Sequence, residues 1–96
     1  MNILITYDIE TIEPEGQKRL RKVAKVCLNF GQRVQNSVFE CNLSYVEFIK
    51  LKHQLECLID PVVDGIRIYH LSKDIMKSVE TMGKDASYNP EDPMII

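Results

Sequence analysis

Asn2-Ile3-Leu4-Ile5-Thr6-Tyr7-Asp8 holds three consecutive β-forming apolar residues, the pattern of a strand buried on both faces at the centre of a sheet. From Gln17 to Phe30 the period changes: Leu20, Val23, Ala24, Cys27 and Phe30 recur at three- and four-residue steps, one face of an α-helix. Pro14 suits the first turn of that helix, with Glu13 and Glu15 near its positive end, and Gly31 stands at the position a C-cap favours. Arg33-Val34-Gln35 and Val38-Phe39-Glu40-Cys41 are β-prone segments, with Asn36-Ser37 between them as a hairpin turn. Ser44 and Glu47 form a capping box that opens a second helix with a predicted inward face of Tyr45, Phe48, Ile49, Leu55, Leu58 and Ile59. His53 points outward, and Asp60-Pro61 ends the helix. Gly65 to Leu71 then alternates, with Ile66, Ile68 and His70 on one face and Arg67, Tyr69 and Leu71 on the other.

Strand, helix, strand, strand, helix, strand is the ferredoxin-like (βαββαβ) order of an α+β domain. It predicts a four-stranded antiparallel sheet with two helices on one face, and the first and last strands as central neighbours. The domain is expected over residues 1–72, with a C-terminal arm over 73–96. Within the arm, Ile75, Val79 and Met82 have partly helical spacing, residues 85–93 read as extended, and Met94-Ile95-Ile96 is expected to dock as a short strand on a sheet edge. A sheet face bare of helices in so small a domain predicts a homodimer.

Composition adds a single domain of ordinary globular character, 45% apolar and 27% charged. A net charge of −2 argues against a molecule that binds polyanions all over its surface. The charge is polarised, however: Lys18, Arg19, Arg21, Lys22, Lys25 and Arg33 are interrupted by no acid between Glu15 and Glu40. Cys27, Cys41 and Cys57 have neither zinc-site nor disulfide spacing and read as small buried hydrophobes. No window approaches a membrane span and no targeting pattern opens the chain, so a cytoplasmic protein is expected.

The candidate chemistry begins at Asp8, a carboxylate at the mouth of a buried strand and therefore rigidly placed. The plainer reading is a turn cap into Ile9-Glu10-Thr11. Tyr7-Asp8-Ile9, the basic helix with Arg19 and Arg21, and Arg33-Val34-Gln35-Asn36-Ser37-Val38-Phe39-Glu40 together resemble the CRISPR-associated endonuclease family, the small partner of the integrase in spacer acquisition. The resemblance covers residues 1 to about 75. It implies a ferredoxin-like homodimer joined through helix-free sheet faces, and a metal-binding aspartate at Asp8. It also implies nuclease or nucleic-acid roles for Tyr7, Arg19, Arg21, Arg33 and Phe39, with Ser37 in the hairpin loop; Lys18 and Lys22 extend the basic helix face. The substrates implied are single-stranded RNA or double-stranded DNA, and the partners are integrase dimers.

Hydrolysis of a phosphodiester needs an activated water and charge neutralisation, which Mg2+ held by a carboxylate supplies. One Asp per chain is a poor site; two Asp8 residues across a two-fold axis make a better one. Glu10 is a weaker candidate for an outer-shell acid. Arginines suit the phosphates through their planar fork. Tyr7 and Phe39 are candidates for base stacking or for core packing. Two alternatives stand beside the nuclease: a non-catalytic scaffold that binds duplex DNA, and a toxin-type messenger-RNA interferase on the same fold.

Overall fold

Of the run Ile3-Leu4-Ile5, the two isoleucines are buried and Leu4 between them is only half-buried, on the opposite face. A computed structural model describes residues 1–71 and 79–83 of the chain. Its elements are β1 (Asn2–Asp8), α1 (Pro14–Phe30), β2 (Gln32–Gln35), β3 (Val38–Asn42), α2 (Tyr45–Leu58), β4 (Gly65–His70) and β5 (Val79–Gly83). The sheet order is β2-β3-β1-β4-β5, antiparallel throughout. The first and last predicted strands are thus central neighbours, in the ferredoxin-like arrangement.

Register fixes the two faces. Ile5 lies between Phe39 and Ile68, and Ile3 between Cys41 and His70. These side chains meet Val23 and Cys27 of α1 and Phe48, Leu51 and Leu55 of α2 in one core. Each large apolar side chain buried there is worth about 1.5–3 kcal/mol. The opposite face carries Leu4, Thr6 and Asp8 of β1, Val38 and Glu40 of β3, and Arg67 and Tyr69 of β4. That face is more polar than a bare sheet surface would suggest.

The hairpin closes as expected: Gln35 pairs with Val38, leaving Asn36-Ser37 as the connection. No non-glycine residue has a positive φ among the described residues, so the turn is not of the primed type that matches strand twist. A bulge between Arg33 and Gln35 takes up the mismatch.

Four expectations change. The buried stripe of α2 is Phe48, Leu51 and Leu55, continued by Ile59, whereas Tyr45 is 68% and Ile49 45% exposed. Ile49 follows Phe48 by about 100° around the helix, enough to turn it off the stripe that Leu51 completes. Val79–Gly83, which had partly helical spacing, is instead a fifth strand paired with β4. Glu80 ties it down: Lys52 Nζ lies 2.7 Å from its carboxylate, and His70 Nε2 meets the other oxygen. Cys57 is exposed, 3.7 Å from His53 Nε2, while Cys27 and Cys41 are buried as expected. Gly31 does cap α1 but in an extended conformation, so space and not backbone freedom calls for glycine: a Cβ there would sit 2.3 Å from the Glu40 carbonyl oxygen. The expected strand at Met94-Ile95-Ile96 and the extended stretch 85–93 lie outside the described residues. No helix among the described residues is long and apolar enough to cross a membrane.

Candidate functional site

Because β1 is central, its last residue emerges at a fixed point. Asp8 is exposed there, with Gly65 as its partner across the ladder to β4 and therefore no side chain crowding it from that side. It stands at an open concavity of about 730 Å³ on the helix-free face, lined also by Ser37, Val38, Arg67 and Tyr69. Asp8 and Ser37 are expected from the sequence, whereas Arg67 joins them without a motif of its own. A strand position two residues past the central Gly65, on the same face as Thr6, was the available signal for it.

Tyr7 points the other way, into the core. Its hydroxyl donates to the Asn36 carbonyl at 3.3 Å, and its backbone N–H donates to the Ser37 carbonyl at 3.1 Å, binding β1 to the hairpin turn. Burial and then the nearby Cys27 thiol raise the phenol above its ordinary pKa, against the opposing pull of Arg33. Phe39 stacks on Tyr7 with ring centroids 6.0 Å apart and has no exposed surface. Of the two roles weighed for Phe39, base stacking and core packing, this geometry is core packing. Its ring also supports Arg33, whose guanidinium carbon lies 5.1 Å from the centroid.

Arg33 and Arg21 flank a second recess, of about 420 Å³, between α1 and the hairpin, with Tyr7, Leu20 and Ser37 in its wall. Lys18, Arg21 and Lys22 are exposed along α1, and Arg33 is exposed on β2. The structure thus brings Arg21, Arg33 and Ser37 together at one recess. It does not bring Arg19 with them.

Arg19 turns inward to Asp64, a residue that no sequence motif marks. Its Nε donates to Asp64 Oδ2 at 2.7 Å and its second guanidinium nitrogen to Oδ1 at 3.3 Å. Asp64 is fully buried and also accepts from the backbone N–H groups of Glu10 at 3.0 Å and Asp60 at 2.9 Å. Burial by itself would raise its pKa; the bonds from Arg19, Asp60 and Glu10, with the charge of Arg19, outweigh that and hold the carboxyl below its ordinary value. Asp64 raises Arg19 correspondingly. Glu10, considered as an outer-shell acid, spends its side chain on the N–H of Ile12. The buried thiols are unreactive in character: burial pushes Cys27 up to about 12 and Cys41 up to about 11.

Among the described residues no three His, Cys, Asp or Glu side chains gather as a metal site. Asp8 supplies one exposed carboxylate at the concavity. Mg2+ keeps several of its waters and takes one or two carboxylates, a demand that one or two copies of Asp8 fit.

A ferredoxin-like domain with an acid at the end of its central strand and a basic first helix defines a class that the comparisons narrow. A model of the CRISPR associated protein Cas2 family matches residues 1–79. The chain is 50% identical to the CRISPR-associated endonuclease Cas2 of Halalkalibacterium halodurans, over 99% of each chain. It is 44% identical to a CRISPR-associated endoribonuclease Cas2 of Rhodospirillum rubrum, over 98% of this chain and 99% of that one. Among solved structures, Streptococcus pyogenes Cas2 superposes with a TM-score of 0.71 at 53% identity, covering 86% of this chain and all of the other. The chain belongs to the Cas2 family.

Proposed function

We propose that this protein is a metal-dependent endonuclease and a homodimeric nucleic-acid platform of the CRISPR adaptation machinery. The observation that carries the reading is Asp8 itself: exposed at the end of the central strand, beside the helix-free concavity, in a family whose relatives are named endonucleases and endoribonucleases. In this reading two chains meet through their helix-free faces, and the two Asp8 side chains approach a shared axis. Together they would hold Mg2+, which supplies water activation and neutralises charge gathering on the phosphate. The protein's own contribution is placement. β1 fixes Asp8, Arg21 and Arg33 grip phosphate oxygens through their forks, and Ser37 offers a hydroxyl between them. Nothing among these groups is shaped to read base edges, so binding follows the backbone of RNA or duplex DNA.

The test is Asp8→Ala, with single-stranded RNA and duplex DNA as substrates, in Mg2+ and in EDTA. Cleavage should disappear in the variant and in EDTA while binding persists. A variant that cuts as fast as the unaltered chain overturns the catalytic reading. A second reading, the scaffold that joins integrase dimers during spacer acquisition, is favoured by the exposed basic face of α1, which does not depend on Asp8. New spacers acquired in cells by the Asp8→Ala protein would support it. The toxin-type interferase has no such support.

A further inference from the structure

We propose that Asp64 and Arg19 are a positioning pair for Asp8, so that Arg19 acts inside the molecule and not on nucleic acid. The proposal rests on the reading of Asp8 as the reacting carboxylate, and its geometric core can be judged apart from that reading. Asp64 gathers three segments that are distant in sequence. One carboxylate oxygen takes the N–H of Glu10 and a guanidinium N–H of Arg19; the other takes Arg19 Nε and the N–H of Asp60. The exit of β1, the first half of α1 and the loop after α2 therefore close on one fully buried side chain.

Asp8 is bracketed by this arrangement twice. Along the chain, Glu10 is fixed two residues beyond it. Across the sheet, Gly65, the residue after Asp64, is its ladder partner. A further constraint comes from Gly16, where a Cβ would lie 1.7 Å from the Glu10 carbonyl oxygen, so α1 presses directly on the same turn. Arg19 is the charge that makes a buried carboxylate tolerable. Its side chain is only 21% exposed, and both its Nε and one terminal nitrogen are already bonded. Lys18, Arg21, Lys22 and Arg33 remain for phosphate.

The experiment uses the full chain with Arg19→Gln, Arg19→Lys, Asp64→Asn and the Arg19→Gln/Asp64→Asn combination, and Arg21→Gln as the surface reference. Three quantities are read: amide hydrogen exchange at Glu10, the Kd and its salt slope for a labelled DNA duplex, and cleavage rate at saturating substrate across a Mg2+ titration. Arg19→Gln and Asp64→Asn should each accelerate exchange at Glu10 and slow cleavage by roughly ten- to a hundredfold, since small misplacements of reacting groups cost that much. The combination should be no worse than its worse single member. Arg19→Lys, which keeps the charge but not the fork, should fall between. Duplex Kd should stay within about twofold in all of them, while Arg21→Gln weakens binding and lowers the salt slope by about 1.

The proposal is overturned if Arg19→Gln weakens binding as Arg21→Gln does and leaves Glu10 exchange unchanged. It is equally overturned if the pair lowers the melting temperature without changing exchange or rate in the folded protein. Should Asp64→Asn fail to fold, the partly exposed Arg19→Gln decides the matter alone. Should Asp8→Ala cleave normally, the catalytic reading fails, and exchange and binding still judge the pair.

Discussion

Asp64 and Asp8 are both carboxylates at strand ends of the same ladder, yet one is sealed in and the other open to solvent. The contrast gives Asp64 a pH signature. A carboxyl held below its ordinary pKa in the folded state contributes stability that is complete above the unfolded value, about 3.9, and is lost as pH falls through the folded one. Asp64→Asn should therefore cost on the order of 2–3 kcal/mol at neutral pH, mostly from poorly satisfied N–H groups, and should flatten the fall in stability below about pH 4. Urea denaturation at pH 7 and pH 3 checks both. Some acid sensitivity should persist, because Glu47 and Glu80 are also held low, Glu47 by bonds at the Ser44 cap and Glu80 by Lys52 and His70 in spite of its burial. Asp8 was legible in the sequence because a buried run announces where it ends. Asp64 was not, since its partner lies 45 residues away and no local pattern reports a pairing over that distance.

At the scale of elements, local signals were read well and choices of face less well. The Ser44–Glu47 box is present in full: Ser44 Oγ accepts from the Glu47 N–H at 3.2 Å, and the Glu47 carboxylate accepts from the Ser44 N–H at 2.9 Å. Ser44→Ala should cost about 1 kcal/mol. Leu51→Ala should cost about 2–5 kcal/mol and Ile49→Ala less than about 0.5, the reverse of what the predicted face of α2 implies. Denaturant midpoints of the three variants decide it. Ile49 and Leu51 are both large apolar residues near Phe48, and composition alone does not say which of them faces the sheet. β5 escaped notice for a related reason: Val79, Glu80, Thr81 and Met82 mix apolar and polar residues without clean alternation, and pairing with β4 supplies what the pattern lacks.

For the whole molecule, the net charge of −2 conceals an exposed positive flank on α1 and β2. If about six phosphates are neutralised by the proposed dimer, log K for duplex DNA should fall against log salt with a slope of roughly −5. Titrations at several salt concentrations, with light scattering to establish the dimer, test charge and assembly together. The order of the elements carried nearly all of the architecture, whereas the polarity of the helix-free face emerged only from register. The bent rim at β2 has its own consequence. Val34 steps out of the ladder there and is half exposed, so another polypeptide could extend that border only by copying the kink. Such a border is a poor template for ordered aggregates, which favours a protein that stays dispersed on that side even when concentrated.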